Sequence, residues 1–510
     1  MFDGLAALGK SFGSFLSFWP IVYTLGATLV GVLIGCMPGL SATLAIALLT
    51  TLTIKMEPND AILILICAYV GTIYGGSRTA ILLNIPGTAA NAAACLDGYQ
   101  LARQGKAGRA MGIATTGSVA GSLFGVVCLA LLTPTLGEVA LSFGAFEFFW
   151  LALFGVMMSG AVAGTDAVKG WLMGFAGLFA TLIGQDGMHA YDRFTFGIPD
   201  LGGGLSLIPT LVGAFGFSEI LTVLSARAEK STLNAVDSVL PRIQDVLKYW
   251  RTILRSGVIG VYVGILPGVG EDMAAWSSYA AAKRASREKE EFGKGSIEGL
   301  MAAETGDNAS IPGGIIPALA LAIPGSAPAA VLMAAMIIHG VQPGPMLMVN
   351  QPQFVYDVVA MTLLATLGML FYGLFLVRPL LAVIRIPRSI IMPVIFVLCT
   401  VGSFAIASRL FDVYVMLGTG LAMFLLRREN YPVPPFVLGL VLGDILDKSL
   451  RRGLTLSNGD FTPFFTRPVC AVLAAITVFT MLMYIPAFND AVRAGVARAK
   501  ALVFGSGAAA

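Results

Sequence analysis

The chain has 510 residues, 57% of them hydrophobic and only 12% charged, with a formal net charge of +3. Ordinary globular proteins carry about 25% charged residues, so this composition excludes a soluble protein built around an oversized core. The small net charge and the lack of a basic tract exclude a nucleic-acid partner, and apolar stretches recurring from end to end make the lipid bilayer the expected solvent.

Taken in chain order, Met1 to Trp19 carries one lysine and no small-residue cleavage site, so it does not read as a removable signal peptide. Residues 20–100 are apolar yet crowded with Gly, Pro, Ser, Thr and Asn. At about 20 apolar residues per crossing, spans follow near 110–136, 143–164, 167–184 and 204–224. A polar linker, 226–252, leads to a second irregular region at 253–343. Further spans fall near 354–377, 389–408, 411–427, 433–450 and 468–488, before a tail at 489–510. The expectation is an all-α polytopic membrane protein of about 10–12 transmembrane helices. Its repeated halves are 1–225 and 253–488, joined by 226–252 as a cytoplasmic linker.

The repeat is read from helix breakers. Gly31, Gly35, Pro38 and Gly39 return as Gly260, Gly264, Pro267 and Gly268, all four at one constant offset. Ala80 to Ala89, containing Asn84, Pro86, Gly87 and Thr88, returns as Ala318 to Ala327, containing Pro324, Gly325 and Ser326, at a slightly larger offset. Matched broken segments in two halves are the best sequence pointer to a transporter's binding site. A helix interrupted inside a membrane exposes unpaired N–H and C=O groups, tolerated only where protein or a wet cavity satisfies them. Its N-terminal ends attract anions, and its free carbonyls with nearby hydroxyls coordinate sodium. The breaks are followed by Ser41 and Thr43, by Thr88 and Asn91, by Glu271 and Asp272, and by Ser326. For a single Pro-Gly the plain alternative is a kink; the Gly31/Gly35, Gly260/Gly264 and Gly117/Gly121/Gly125 spacings also suit close helix packing.

Loop charge gives an orientation. Arg103, Lys106 and Arg109, and the segment 226–255, are expected to be cytoplasmic, and the acidic loop 185–203 external. Residues 253–282, flanked by basic residues on both sides, suit a re-entrant hairpin with its tip near Pro267-Gly268. The same logic opens the first hairpin outward, giving an inverted repeat, although Arg451-Arg452 then land outside. Residues 283–299 read as a solvated cytoplasmic loop.

Ionisable residues deep in apolar sequence are functional candidates. Arg78 can grip a carboxylate bidentately, or pair structurally with Glu304. Glu304, Asp307 and Asn308 precede the fourth break and could serve a coupling ion, whereas Glu271 and Asp272 suit either a site or a cytoplasmic-facing hairpin. Glu138, Glu147 and Glu219 fall near span ends and are expected at the interface. Six scattered cysteines and two histidines, His189 and His339, offer no metal-ligand spacing.

These motifs resemble the TctA family, the large membrane subunit of bacterial tripartite tricarboxylate transporters. The resemblance is carried by Gly35-Cys-Met-Pro-Gly-Leu40, Tyr74-Gly-Gly-Ser77, Leu83-Asn-Ile-Pro-Gly-Thr88 and Asp97-Gly-Tyr-Gln-Leu-Ala-Arg103. It continues through Gly264-Ile-Leu-Pro-Gly268, Ile323-Pro-Gly-Ser-Ala327, Pro343-Gly-Pro345, Leu438 to Gly443, Arg451 and Ser457-Asn-Gly-Asp460. It implies a secondary transporter in the bacterial inner membrane, driven by a sodium or proton gradient and without a cofactor. Its implied partners are a small four-helix membrane subunit and a periplasmic binding protein, and its implied substrates are di- and tricarboxylates or aromatic acids. The chain departs from the family pattern at Asp307-Asn308, where paired Asn is expected, and at Glu271-Asp272, where uncharged residues are expected.

The substrate-binding set is therefore Pro38, Gly39, Ser41, Thr43, Arg78, Asn84, Pro86, Gly87, Thr88, Pro267, Gly268, Gly270, Pro324, Gly325 and Ser326. The ion-coupling set is Ser41, Thr88, Glu304, Asp307, Asn308 and Ser326, with a possible sodium site as the sole metal site. A passive organic-anion channel is the first rival and would need a continuous polar pore lining. A membrane-embedded enzyme is the second and would need a nucleophile–base pair that the sequence does not offer.

Overall fold

The computed structural model describes residues 2–37, 39–162, 166–186, 190–225, 243–375 and 388–484, with 488 and 492. Apart from a two-residue hairpin pairing Gly184 with Arg193 and Gln185 with Asp192, the regular structure of the described residues is helical. In chain order come α1 (Phe2–Phe15), α2 (Phe18–Gly35), α3 (Ala42–Thr53), α4 (Pro58–Leu83), α5 (Ala92–Arg103), α6 (Ala107–Ala140), α7 (Ala145–Met157), α8 (Ser159–Val162) and α9 (Ala167–Thr181). Next are α10 (Leu207–Leu211), which runs through a π-helical stretch at Val212–Phe217 into α11 (Ser218–Ser225), then α12 (Ile243–Lys248), α13 (Trp250–Ile265), α14 (Gly270–Ala285), α15 (Ile297–Leu321), α16 (Ala327–Ile338), α17 (Pro345–Asn350) and α18 (Pro352–Phe375). Helices Arg388–Ala407, Leu410–Arg428, Val433–Leu456, Pro463–Thr466 and Pro468–Met483 complete the chain.

Among the described residues, seven helices are long and apolar enough to cross a membrane. The expected ten to twelve is not reached on that criterion, because five further apolar helices run for fewer than 18 residues. The polar residues Glu304, Asp307 and Asn308 lie within α15.

The central element is α4. Pro58 stands in its first turn with Asp60, a favourable start for the helix dipole, and 94% of its most apolar window is buried. It is shielded because small residues let neighbours close in. Gly31 and Gly35 of α2 lie against the Ala68 and Thr72 carbonyls, and Gly75 lies against the Val32 carbonyl. The corresponding contacts recur between α13 and α15: Gly260 meets the Gly306 carbonyl, Gly264 the Ser310 carbonyl, and Gly313 the Val261 carbonyl. Gly117, Gly121 and Gly125 of α6 pack on Met301, Thr305 and Ala309 of α15, the packing role expected of them.

Most of residues 283–295 are exposed, as expected of a solvated loop, and the segment is tied down at its end. Asp97 of α5, buried, accepts the backbone N–H groups of Gly293, Gly295 and Ser296 at 2.7, 2.9 and 2.8 Å, and the Tyr279 hydroxyl at 2.9 Å. Arg451 pairs with Asp186 and Asp447, and Arg193 with Asp447, so Arg451 lies with the 185–203 segment and is neutralised there. This accounts for a basic residue on a side that loop charge made external.

Candidate functional site

Each break ends a helix and starts another. At the first, α2 stops at Gly35; Pro38 lies outside the described residues, and Gly39 takes φ +96°, a conformation glycine adopts freely. The Ser41 hydroxyl accepts from the Leu44 N–H at 3.2 Å and caps α3, with Thr43 buried in its first turn. At the third break, Gly268 and Gly270 take φ +76° and +73° beside the partly buried Pro267, and α14 begins.

The second and fourth breaks share one geometry. Asn84 and Ala322, each the residue after its helix, both sit at φ +57°. The chain then doubles back, so the Gly87 N–H donates to the Gly76 carbonyl at 3.2 Å and the Gly325 N–H to the Gly314 carbonyl at 3.3 Å. Gly87 abuts the Gly35 carbonyl and Gly325 the Gly264 carbonyl, so neither position has room for a side chain. Thus the fold brings the first and second breaks together, and likewise the third and fourth. Pro86 is partly buried, Pro324 is buried, and Asn84 is exposed.

Two buried polar knots tie the halves. In one, the Tyr69 hydroxyl of α4 donates to the Glu271 carboxylate and lies 2.9 Å from Ser326 Oγ, which donates to Glu271 Oε1 at 2.8 Å. Ser326 also caps α16 through the Ala329 N–H. In the other, Asn91 Nδ2 donates to Asp307 Oδ2 at 3.2 Å, to the Ile73 carbonyl and to Ser77 Oγ, while Thr88 Oγ1 donates to Asn91 Oδ1 at 2.6 Å. Tyr69 and Asp307 are separated by the same offset as Ala80 and Ala318. Each also reaches a polar residue that follows a break of the other half.

Arg78 and Glu304 lie nearby. The Arg78 guanidinium stacks 4.1 Å from the centre of the Tyr74 ring and donates to the Met111 carbonyl and Thr115 Oγ1, leaving Nε and Nη2 without partners. Glu304 accepts from Ser118 at 2.9 Å and feels the Arg78 charge without a direct ion pair among the described residues. Around these breaks Glu271, Glu304 and Asp307 are each at most 4% exposed, and among the described residues Arg78, at 1%, is the one comparably buried cation. Asp307 Oδ1 and Asn308 Oδ1 are buried without a donor, as oxygens that could face a cation would be.

Among the residues expected to form the site, Thr88 and Asp307 meet through Asn91, and Gly87 and Gly325 seat their breaks. Ser326 meets Glu271, whereas Ser41 and Thr43 stay with α3, and Asn84 faces outward. The sequence reading missed Tyr69. Comparing the halves at the offset between the second and fourth breaks, which sets Tyr69 opposite Asp307, was the signal that could have found it. Glu147 and Glu219, expected near span ends, are buried within the chain and paired with Arg467 and Arg427; Glu219 abuts Gly39 at the first break. His339 joins the Ala335 and Thr53 carbonyls, a structural tie between α16 and α3, and His189 lies outside the described residues. A cavity of about 590 Å³, lined by Gln185, Gly203, Ala322, Met333, Gln342 and Asp444, reaches the fourth break beside the 184–204 segment.

A helical bundle with seven membrane-length apolar helices and paired helix breaks around buried polar knots is a multi-pass membrane transport protein in class. The family model described as "Tripartite tricarboxylate transporter TctA family" matches residues 21–438, and the chain belongs to that family, the large membrane subunit of these transporters. It is a transporter subunit and not an enzyme. It is 35% identical to an uncharacterized 52.8 kDa protein from the TAR-I ttuC′ 3′ region of Agrobacterium vitis, over 93% of this chain and 95% of that one. A second Agrobacterium vitis protein, uncharacterized, from the TAR-II ttuC′ 3′ region, is 32% identical over 44% of this chain and 93% of its own length. No solved structure matches the chain.

Proposed function

We propose that this subunit imports carboxylates across the bacterial inner membrane by alternating access driven by a sodium or proton gradient. It does so with a small four-helix membrane partner and a periplasmic binding protein. The first and second halves, 1–225 and 253–488, act as an inverted repeat, and the α2–α3 and α13–α14 pairs act as re-entrant hairpins. The substrate carboxylate is received where the breaks meet, by Thr88, Ser326, Arg78 and the helix starts beside them, with Glu304, Asp307 and Asn308 serving the coupling cation.

One observation carries the reading: buried hydrogen bonds join polar residues after the second, third and fourth breaks to α4 or α15 of the opposite half. A cluster spanning two halves is rearranged when one half moves against the other, which is what alternating access requires. The excess of buried carboxylates over buried cations is what favours an obligatory cation. The passive-channel reading is disfavoured by the same burial, because the knots are filled by side chains.

The test is uptake by proteoliposomes holding the membrane subunits with the cognate binding protein outside, using radiolabelled succinate, citrate and benzoate as probes. Saturable uptake of at least one probe, dependent on an imposed sodium or proton gradient, is expected. Uptake that ignores both gradients and does not saturate would contradict the reading.

A further inference from the structure

Where α14 ends and the chain turns toward α15, an open hollow of about 670 Å³ is lined by Lys283, Arg284, Lys289, Glu290, Phe292 and Lys294. Four cations thus stand against one acid. None of the four makes an ion pair or a side-chain hydrogen bond among the described residues. Two neighbouring acids are taken by other partners: Glu288 pairs with Lys248 at 2.7 Å and accepts from Tyr249, and Glu298 accepts from Thr252 and Ser286 beside Arg255. Glu290 and Glu291, both exposed, are left against five basic residues between 283 and 294, so the hollow carries surplus positive charge. Cations in the last turn of a helix also complement its dipole, which accounts for Lys283 and Arg284. It does not account for Lys289 and Lys294, which the following loop brings to the same hollow.

The hollow is held in shape from beneath. Phe292, 6% exposed, packs edge-on against Tyr279 with ring centres 5.4 Å apart. Asp97 grips the backbone just beyond Phe292, and the Gln104 side chain donates to the Lys294 carbonyl at 2.9 Å. The helix leading into the hollow says which kind of anion suits it. At 3.6 residues per turn, Met273, Trp276, Ala280 and Arg284 share one face of α14, and Met273 and Trp276 are 45% and 40% exposed. Trp276 lies about 12 Å along the axis from Arg284. Exposed apolar side chains that run up to an unpaired cationic cluster match an amphiphile, with its chains on the apolar face and its phosphate among the cations. A soluble phosphate would use the cations and leave that face without a role.

We propose that this hollow binds the phosphate of an anionic phospholipid, whose acyl chains lie along Met273 and Trp276. Lys283 and Arg284 supply the charge from the helix end, and Lys289 and Lys294 supply it from the loop. A lipid seated there ties the end of α14 to the headgroup layer, at the opposite end of the helix from the third break. Such binding needs a bilayer but not the transport cycle, so it stands or falls separately from the transport reading.

Native mass spectrometry of the full-length subunit with its membrane partner, released from detergent, reads the binding, with phosphatidylglycerol, phosphatidylcholine and inorganic phosphate as probes. The wild type should hold phosphatidylglycerol in preference to phosphatidylcholine at equal concentration. Lys289→Gln with Lys294→Gln, and separately Lys283→Gln with Arg284→Gln, should weaken the tightest phosphatidylglycerol adduct about fivefold for each charge removed. Both double variants should elute as the wild type does on size exclusion, because all four side chains are exposed; should one fail to, the other decides. Arg287→Gln, which removes an exposed cation outside the hollow, should leave the adduct unchanged. Undiminished phosphatidylglycerol binding in the double variants overturns the proposal, as does an equal loss in Arg287→Gln or equal retention of phosphatidylcholine. Displacement of the lipid by inorganic phosphate at equal concentration would make this a soluble-phosphate site and overturn the lipid assignment.

Discussion

Arg78 and Asp97 show two different uses of a buried charge. Arg78 keeps two guanidinium nitrogens without partners in a wall otherwise satisfied by Tyr74, Met111 and Thr115. A fork held this way is ready for a carboxylate, and lysine cannot reproduce it. Arg78→Lys is expected to leave folded yield unchanged and to raise the KM for uptake about tenfold, the ~1.4 kcal/mol of a weakened charge-assisted hydrogen bond. Concentration-dependent uptake checks this, and an unchanged KM would place Arg78 in a purely structural role. Asp97 is fully committed, to three backbone N–H groups and the Tyr279 hydroxyl. Asp97→Ala orphans the buried Ser296 N–H and Tyr279 hydroxyl at about 1–3 kcal/mol each, and frees the more exposed Gly293 and Gly295 N–H groups, so a marked fall in Tm in detergent is expected, partly restored by Asp97→Asn. Arg78 was legible in the sequence because a cation in apolar sequence is conspicuous. Asp97 was not, because its partners are backbone groups of a segment far along the chain, Gly293 to Ser296.

At the scale of elements, spacing carried most of the information. The spans read at 354–377, 389–408 and 411–427 appear as helices 352–375, 388–407 and 410–428. The π-helical stretch inside Leu207–Ser225 was hidden, since hydropathy does not distinguish helix types. The break regions were legible as breaks, but their contacts needed coordinates, because no local pattern says which carbonyl Gly87 will meet. The geometry gives a sharp contrast within α2. A methyl at Gly35 would collide with the Thr72 carbonyl, whereas one at Gly26 meets nothing within 4 Å. Gly35→Ala and Gly325→Ala should each cost about 1–3 kcal/mol or more through overpacking, read as loss of monodisperse protein on fluorescence-detected size exclusion, with Gly26→Ala unaffected. Loop 283–299 adds a pH signature. Hydrogen bonds from Lys248 and Tyr249 hold the Glu288 carboxyl below its usual range. The pair's contribution is therefore present above the ordinary glutamate value of about 4.3 and is lost as pH falls through the lowered one. Both partners are at least 36% exposed, so the effect stays below ~1 kcal/mol. Lys248→Met should flatten this small acid limb of Tm against pH.

Over the whole molecule, two scaffolds built from matched breaks carry unmatched chemistry. Gly35 and Gly264, Gly87 and Gly325, and Asn84 and Ala322 repeat their contacts or backbone angles. Tyr69 and Asp307, at the offset of Ala80 and Ala318, do not share a side chain, and the offset that takes Pro38 to Pro267 sets the acid Glu271 opposite the alanine Ala42. The reading that follows is one of a symmetric frame enclosing an asymmetric, acid-rich centre, whose surplus negative charge is balanced by the coupling cation. Single-particle cryo-EM of the subunit with its membrane partner in nanodiscs, at a saturating concentration of whichever of succinate, citrate or benzoate is taken up, tests this most directly. The account predicts ligand density at the meeting of the breaks, touching Thr88, Ser326 or Arg78. Density confined to the cavity beside Gln185 and Asp444, with the breaks unoccupied, would contradict it.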